Sequence, residues 1–182
     1  NLILNYKTSK SSNLMTAYRT STTAPSITQL QDIIDISTST AFYLGNPNLN
    51  PSYTHMFFSN FRIANPTKFT NIGFNIFGNY SVDPIGNETQ LMSKDTVIYG
   101  QILLQNGQLI NLVNLPDSWN VRSFVNYGFF FIPIKCNINL SAGAGYSTTP
   151  GIVNHIRGET KSLDINYGTV IASNISQYVD FT

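Results

Sequence analysis

The chain has 182 residues, with 10 Lys and Arg against 9 Asp and Glu. Its net charge of +1 gives no electrostatic footprint for nucleic acid. Charged residues make up 10% and aromatics 13%, where a soluble domain carries about 25% charge, yet mean hydropathy is −0.04. That balance excludes a disordered chain, which lacks aromatics and β-branched residues, and argues against an enzyme with a Lys- and Glu-rich surface. It suits a transmembrane barrel with lipid outside and water inside, a secreted β-sandwich adhesin, or a phage receptor-binding module.

The length fits one domain. A lone Cys136 allows no internal disulfide and no metal-ligand cluster. No charged segment followed by an apolar one opens the chain, so no signal peptide is expected. Both ends, Leu2-Ile3-Leu4-Asn5-Tyr6 and Tyr178-Val179-Asp180-Phe181-Thr182, read as strand. The expectation is an internal piece, residues 1–182, of a larger protein. The longest apolar run, Phe129 to Ile134, is far short of a transmembrane helix, so any crossing is made by strands.

In chain order, the first break is Lys10 to Asn13, and a long segment follows from Thr23 to Asn50. Within it, Ser26 and Gln29 have the spacing of a cap on a short helix. Asp32 and Asp35 fall in a Ser-rich loop and read as solvated acids, not as an acid and base pair. After a short break at Asn65 to Lys68, Phe69 to Val82 alternates: Ile72, Phe74, Ile76, Tyr80 and Val82 oppose Asn71, Gly73, Asn75, Asn79 and Ser81.

Asp83-Pro84-Ile85-Gly86 ends that strand, and Pro84 to Ser118 is the second long segment. Gln105-Asn106-Gly107 predicts an extra hairpin within it, joining Thr96–Leu104 to Gly107–Val113. Trp119 to Phe131 then sets Val121, Val125, Tyr127 and Phe129 against Asn120, Arg122, Asn126 and Gly128. A break at Ile132 to Lys135 leads to Cys136–Tyr146, where Ile138, Leu140, Ala142 and Ala144 alternate with Asn137, Asn139, Ser141 and Gly143. A third long segment, Pro150 to Gly158, precedes Glu159 to Ile171, with Leu163, Ile165 and Tyr167 against Ser162, Asp164 and Asn166. Ser173 to Ser176 is the last short break.

Strands of about 10 residues or more exceed the soluble average of about 5–6 and match the 9–11 that cross a bilayer. Alternating short and long connections are the rhythm of an outer-membrane barrel. The expected fold is all-β: an antiparallel transmembrane β-barrel segment of about eight strands in meander order, part of a larger barrel. Tyr6, Tyr18, Tyr53, Tyr80, Trp119, Tyr146 and Tyr167 are candidates for its aromatic girdles.

Candidate lumen-facing residues are Asn75, Asn120, Arg122, Asn126, Asn139, Asp164 and Asn166. Arg122 is expected to form a lumen salt bridge with a neighbouring strand, Asp164 being a candidate partner. His55 and His155 have neither a nearby Cys nor a zinc spacing, and His155 reads as a solvated loop residue. Cys136 reads as a small hydrophobe. No catalytic site, metal site or cofactor is expected.

The first long segment carries a family resemblance. Arg19-Thr20-Ser21-Thr22-Thr23-Ala24-Pro25-Ser26, with Leu30 after it, is followed by Gly45-Asn46-Pro47-Asn48-Leu49-Asn50-Pro51. In this order the elements Ala24, Pro25, Ser26, Leu30 and Gly45, Asn46, Pro47, Asn48, Leu49 resemble the TonB-dependent receptor signature. Asn50-Pro51-Ser52 stands where that family usually has Lys-Pro-Glu, which is similar to its TonB-dependent receptor-like barrel branch. The resemblance implies a barrel in the bacterial outer membrane of a Gram-negative cell, about a third of whose wall lies here, acting in solute uptake. It also implies partners: the lipid bilayer, the rest of the barrel, an N-terminal plug domain not contained in these residues, a TonB-type energy coupler and a surface lipoprotein. A structural or secretion-associated barrel, or a soluble β-sandwich module, are the alternatives.

Overall fold

A computed structural model describes residues 1–9, 11–38 and 40–173. The elements are β1 (Leu2–Ser9), β2 (Ser12–Thr23), α1 (Ile27–Leu30), β3 (Ile34–Thr38), β4 (Ala41–Leu44), β5 (Ser52–Asn65) and β6 (Thr70–Val82). They continue with β7 (Ile85–Leu91), β8 (Thr96–Ile98), β9 (Gln101–Leu103), β10 (Gln108–Asn114), β11 (Ser118–Phe131), β12 (Cys136–Val153) and β13 (Ile156–Ser173).

The long strands β1, β2, β5, β6, β11, β12 and β13 form one wall, paired in that order with every neighbour antiparallel. The expected meander is therefore present. The eighth expected strand, 178–182, and the turn at 174–176 lie outside the described residues. Directly opposed residues share a face of a sheet, so the pairings sort every wall position. Leu14, Phe61, Phe74, Val125, Ala142 and Tyr167 fall on one face, whereas Met15, Asn60, Asn75, Phe124, Gly143 and Asn166 fall on the other. Among the described residues no second layer lies over the apolar side: Leu163, Ile165 and Tyr167 are exposed, Tyr167 by 91%. A two-layer sandwich buries such a face within the protein. This wall leaves it for the surroundings.

Short turns join the strands at one end. Ile132–Ile134 forms a 3₁₀ turn with Pro133 near its start, and Lys135 closes it in the left-handed region at φ 49°. The opposite end carries a folded superstructure in place of open loops. There β7 pairs β10, β10 runs parallel to β4, and β4 pairs β3. This small sheet joins the wall where β7 takes the edge of β12 at Ile152 and Val153, above the last β11 partner, Thr148. Its apolar core is Phe42, Leu103 and Leu109, packed by Ile34, Leu44, Met92 and Ile98.

Three expectations need correction. The hairpin predicted at Gln105–Gly107 does not form. Asn106 does turn at φ 65°, but the β8–β9 hairpin closes earlier, through Tyr99 and Gly100 at φ 49° and 77°, and β10 pairs with β7 instead. Pro150 to Gly158 is not a long loop. The β12–β13 ladder runs through it to Val153 and Ile156, closed by Asn154 and His155 at φ 49° and 63°, a two-residue turn with both positions left-handed. Pro150 sits where β12 has a neighbour on one side only, the setting in which a strand tolerates proline. Finally, the first long segment is not loop throughout, since it holds α1, β3 and β4.

Candidate functional site

Two regions concentrate the side chains of interest: the polar face of the wall, and the junction that holds the superstructure above it.

The register puts Asn75, Asn120, Arg122, Asn126, Asn139, Asp164 and Asn166 on one face. Four of them are laid against glycines of the next strand. A Cβ at Gly73 would meet the Asn126 amide at 2.4 Å, one at Gly128 would meet Asn139 at 2.5 Å, and one at Gly143 would meet Asn166 at 2.6 Å. At Gly145 the nearest atom would be Arg122 Cγ at 3.2 Å. The asparagine-glycine alternation of the sequence is thus a packing pattern, in which an amide of one strand covers the bare backbone of another. Asn60 donates through Nδ2 to Asn75 Oδ1 at 2.5 Å. Asn120 lies between Asn79 and Ser147 in the register.

Arg122 and Asp164 are both opposite Gly145, yet no ion pair joins them among the described residues, which corrects the expected salt bridge. They flank an open cleft with Phe124, Gly145 and Asn166. The polar face also has an aromatic island that the alternation did not reveal: Phe58 faces Phe77, which faces Arg122. Cys136 is buried and its thiol donates to the Ile134 carbonyl at 3.2 Å, so it behaves as the small hydrophobe expected.

The junction is built from the residues singled out in the first long segment. Ser26 caps α1: its Oγ accepts from the Gln29 N–H at 3.3 Å, and its own N–H donates to Gln29 Oε1 at 2.8 Å. Ala24 and Pro25 make the step from β2 to α1, and Leu30 ends that helix. Gly45 is required by close approach, since a Cβ there would lie 2.0 Å from the Gln31 carbonyl oxygen. Asn46 donates its N–H to the Gln29 carbonyl at 2.7 Å and its Nδ2 to the Leu112 carbonyl at 2.9 Å. Its Oδ1 accepts from the Asn48 N–H across Pro47 at 2.9 Å. Leu49 is buried. This motif therefore stitches the first long segment to β10 of the second.

Asn114 completes the clamp, and sequence reasoning missed it. Its Oδ1 accepts from the Asn50 N–H at 2.8 Å, and its Nδ2 donates to the Asn50 and Asp83 carbonyls at 3.0 and 2.9 Å. The Asn-Leu-Pro-Asp run at 114–117 was the available signal, because an asparagine before a proline turn often satisfies nearby backbone. His155 is solvent-exposed in the turn, as expected, and it also has a partner. Its Nδ1 lies 2.6 Å from Glu88 Oε1, and Asn154 beside it accepts from the Leu91 N–H at 2.8 Å and donates its own N–H to the Thr89 carbonyl at 2.9 Å. The tip of the β12–β13 hairpin is thereby latched to β7.

The acids of the superstructure are engaged in local structure. Asp35 accepts from the Ser37 hydroxyl and then from its backbone N–H, which holds its carboxyl below the ordinary value of 3.8. Asp32 accepts from Tyr99 Oη at 3.0 Å, and that bond followed by the carboxylate charge raises the phenol above its ordinary value.

No curated protein matches this chain. A model described as an outer membrane protein beta-barrel family matches residues 1–181. That match agrees with long antiparallel strands, one uncovered apolar face and elaborated connections at one end. The chain belongs to the outer membrane protein beta-barrel family, and its wall is an antiparallel transmembrane segment of a barrel in the outer membrane.

Proposed function

We propose that the chain is a non-catalytic wall segment of a TonB-dependent import barrel, with its polar face lining the lumen. The observation that carries the reading is the pairing of that face with the loop clamp. Arg62, Arg122 and Asp164 share the polar side without an ion pair among the described residues, an arrangement suited to water or a lumen-filling domain and costly against lipid. The Ala24–Leu49 motif, which resembles the TonB-dependent receptor signature, serves here to fasten the superstructure over one rim. An N-terminal plug is the proposed occupant of the lumen. The energy coupler would act through parts outside this wall segment, and a surface lipoprotein would meet the superstructure.

Two experiments separate the parts of the reading. Cysteines introduced at Asn75, Asn126 and Asn166 in the full-length protein, in outer-membrane vesicles, should react with a water-soluble maleimide, whereas cysteines at Ile165 and Tyr167 should not. The reverse pattern would sink the lumen assignment. Import itself requires a plug domain encoded ahead of this segment and uptake that stops when the energy coupler is deleted. A parent protein lacking a plug would leave a structural or secretion-associated barrel as the function.

A further inference from the structure

Among the described residues, Gly78 is the one glycine on the apolar face of the wall. Gly73, Gly128, Gly143, Gly145 and Gly168 all pair into the polar face, where amides or other side chains lie over most of them. Gly78 faces Phe57 on β5 and Val121 on β11. Nothing steric demands glycine there: a Cβ would meet Val121 at 3.7 Å and the Asn120 carbonyl oxygen at 3.8 Å, both ordinary contacts. Gly78 lies in an open notch of about 420 Å³, within the range of small-molecule sites.

The notch has a chemical gradient along the strands. Its floor and lower wall are Phe57, Gly78, Val121 and Ile76. The next row towards the superstructure is His55, Tyr80 and Trp119, and Tyr18, level with Phe57, closes the side of the notch. Tyr18 Oη lies 2.5 Å from His55 Nδ1, and Tyr80 Oη donates to Asp117. His55 meets Tyr53 edge-on at a centroid distance of 4.8 Å, so the ring is fixed between two tyrosines. Carbon at one end and hydroxyl, imidazole and carboxylate at the other is the profile of a lipid, with an acyl chain below and a polar headgroup at the interface.

We propose that this notch retains one membrane lipid, its acyl chain seated on Gly78 between Phe57 and Val121 and its headgroup level with the Tyr18–His55 and Tyr80–Asp117 pairs. The occupant follows from the setting: the face is apolar and uncovered, the family places it in the outer membrane, and lipid is the solvent at that level. The inference rests on the apolar face being the lipid-facing one, and not on import.

Trp119, the single tryptophan of these 182 residues, lines the notch and reports on it. The full-length protein is placed in phosphatidylcholine vesicles containing a dibrominated-chain analogue, and the emission that Trp119→Phe removes is followed. Gly78→Leu projects a side chain into the middle of the notch at a position where a Cβ meets only ordinary contacts, and circular dichroism checks that its β-content is unchanged. The expected result is stronger quenching of Trp119 in the native protein than in Gly78→Leu, with native mass spectrometry showing a retained lipid that the variant loses. Equal quenching and equal lipid retention would overturn the proposal while leaving the lipid-facing assignment intact. Absence of quenching in both would overturn that assignment as well. A dimer that Gly78→Leu dissociates would place a second copy in the notch and also overturn the lipid.

Discussion

Gly45 and Asn114 show how single residues hold the superstructure. Gly45→Ala would drive a Cβ into the Gln31 and Gln29 carbonyl oxygens, at 2.0 and 2.9 Å, and both are backbone atoms with little freedom to yield. A loss of about 1–3 kcal/mol is expected, seen as faster amide exchange at Asn46 and Leu49 with the wall unaffected. Asn114→Ala removes three hydrogen bonds of the clamp, all of them solvent-exposed, so water replaces them in part and about 0.5–1.5 kcal/mol is expected. Limited proteolysis should then cut within 24–51. Asn114→Asp keeps the acceptor for Asn50 but loses both donors, so it should fall between the native protein and the alanine variant.

Asp35 offers a pH test at the same scale. Its carboxyl is lower in the folded chain than in the unfolded one, so its contact with Ser37 contributes above the unfolded value and is lost as pH falls through the folded value. A carboxyl titration should place its midpoint below 3.8, and Ser37→Ala should move it upward. No upward movement would show that the hydroxyl is not the cause. The residues of the Gly45–Leu49 motif were readable in the sequence, as was the Ser26–Gln29 cap, because a cap is local. Their task was not readable, since Asn46 reaches Leu112 across 66 positions.

At the scale of elements, the β12–β13 hairpin outruns the membrane. Each strand has 18 residues, about 60 Å at the rise of an antiparallel strand, while about 9–11 tilted residues cross a bilayer. The excess forms the post to which β7 attaches. Asn154→Ala would place alanine at positive φ and remove the acceptor of the Leu91 N–H. A cost of about 1–2 kcal/mol for the left-handed backbone alone is expected. Hydrogen exchange should quicken at Leu91 and along β7, but not along β11. Equal quickening of β11 would mean that the superstructure and the wall open as one unit.

The same elements show where sequence patterns mislead. Proline and two glycines between 150 and 158 resembled a loop, yet an edge position and a type I′ turn absorb them. Asn106-Gly107 was a true turn signal attached to the wrong partner, because β10 is claimed by β7 and β4 through pairings that no local pattern announces.

The wall was legible for a physical reason: lipid on one side and a polar surface on the other force strict alternation, and alternation is visible in a single sequence. The superstructure has an ordinary apolar core of Phe42, Leu103 and Leu109 drawn from two separated segments, so its order depends on long-range packing. For the molecule as a whole, the uncovered apolar face and the outer edges of β1 and β13, which no other described strand takes, call for a membrane and neighbouring strands. The 182 residues expressed alone should gain ordered β-structure by circular dichroism only with detergent or lipid. A stable soluble monomer in plain buffer would contradict the membrane assignment.

The small sheet above the rim also determines what a binding partner at that end of the wall meets. Its exposed positions, such as Val97, Tyr99 and Ile102 on the β8–β9 hairpin, are assembled on a scaffold that draws strands from residues 34–44 and 85–114 together. A binder that spans β4, β10 and β7 reads a conformational surface contributed by both stretches. Synthetic peptides copying either stretch alone would be poor mimics of that folded surface.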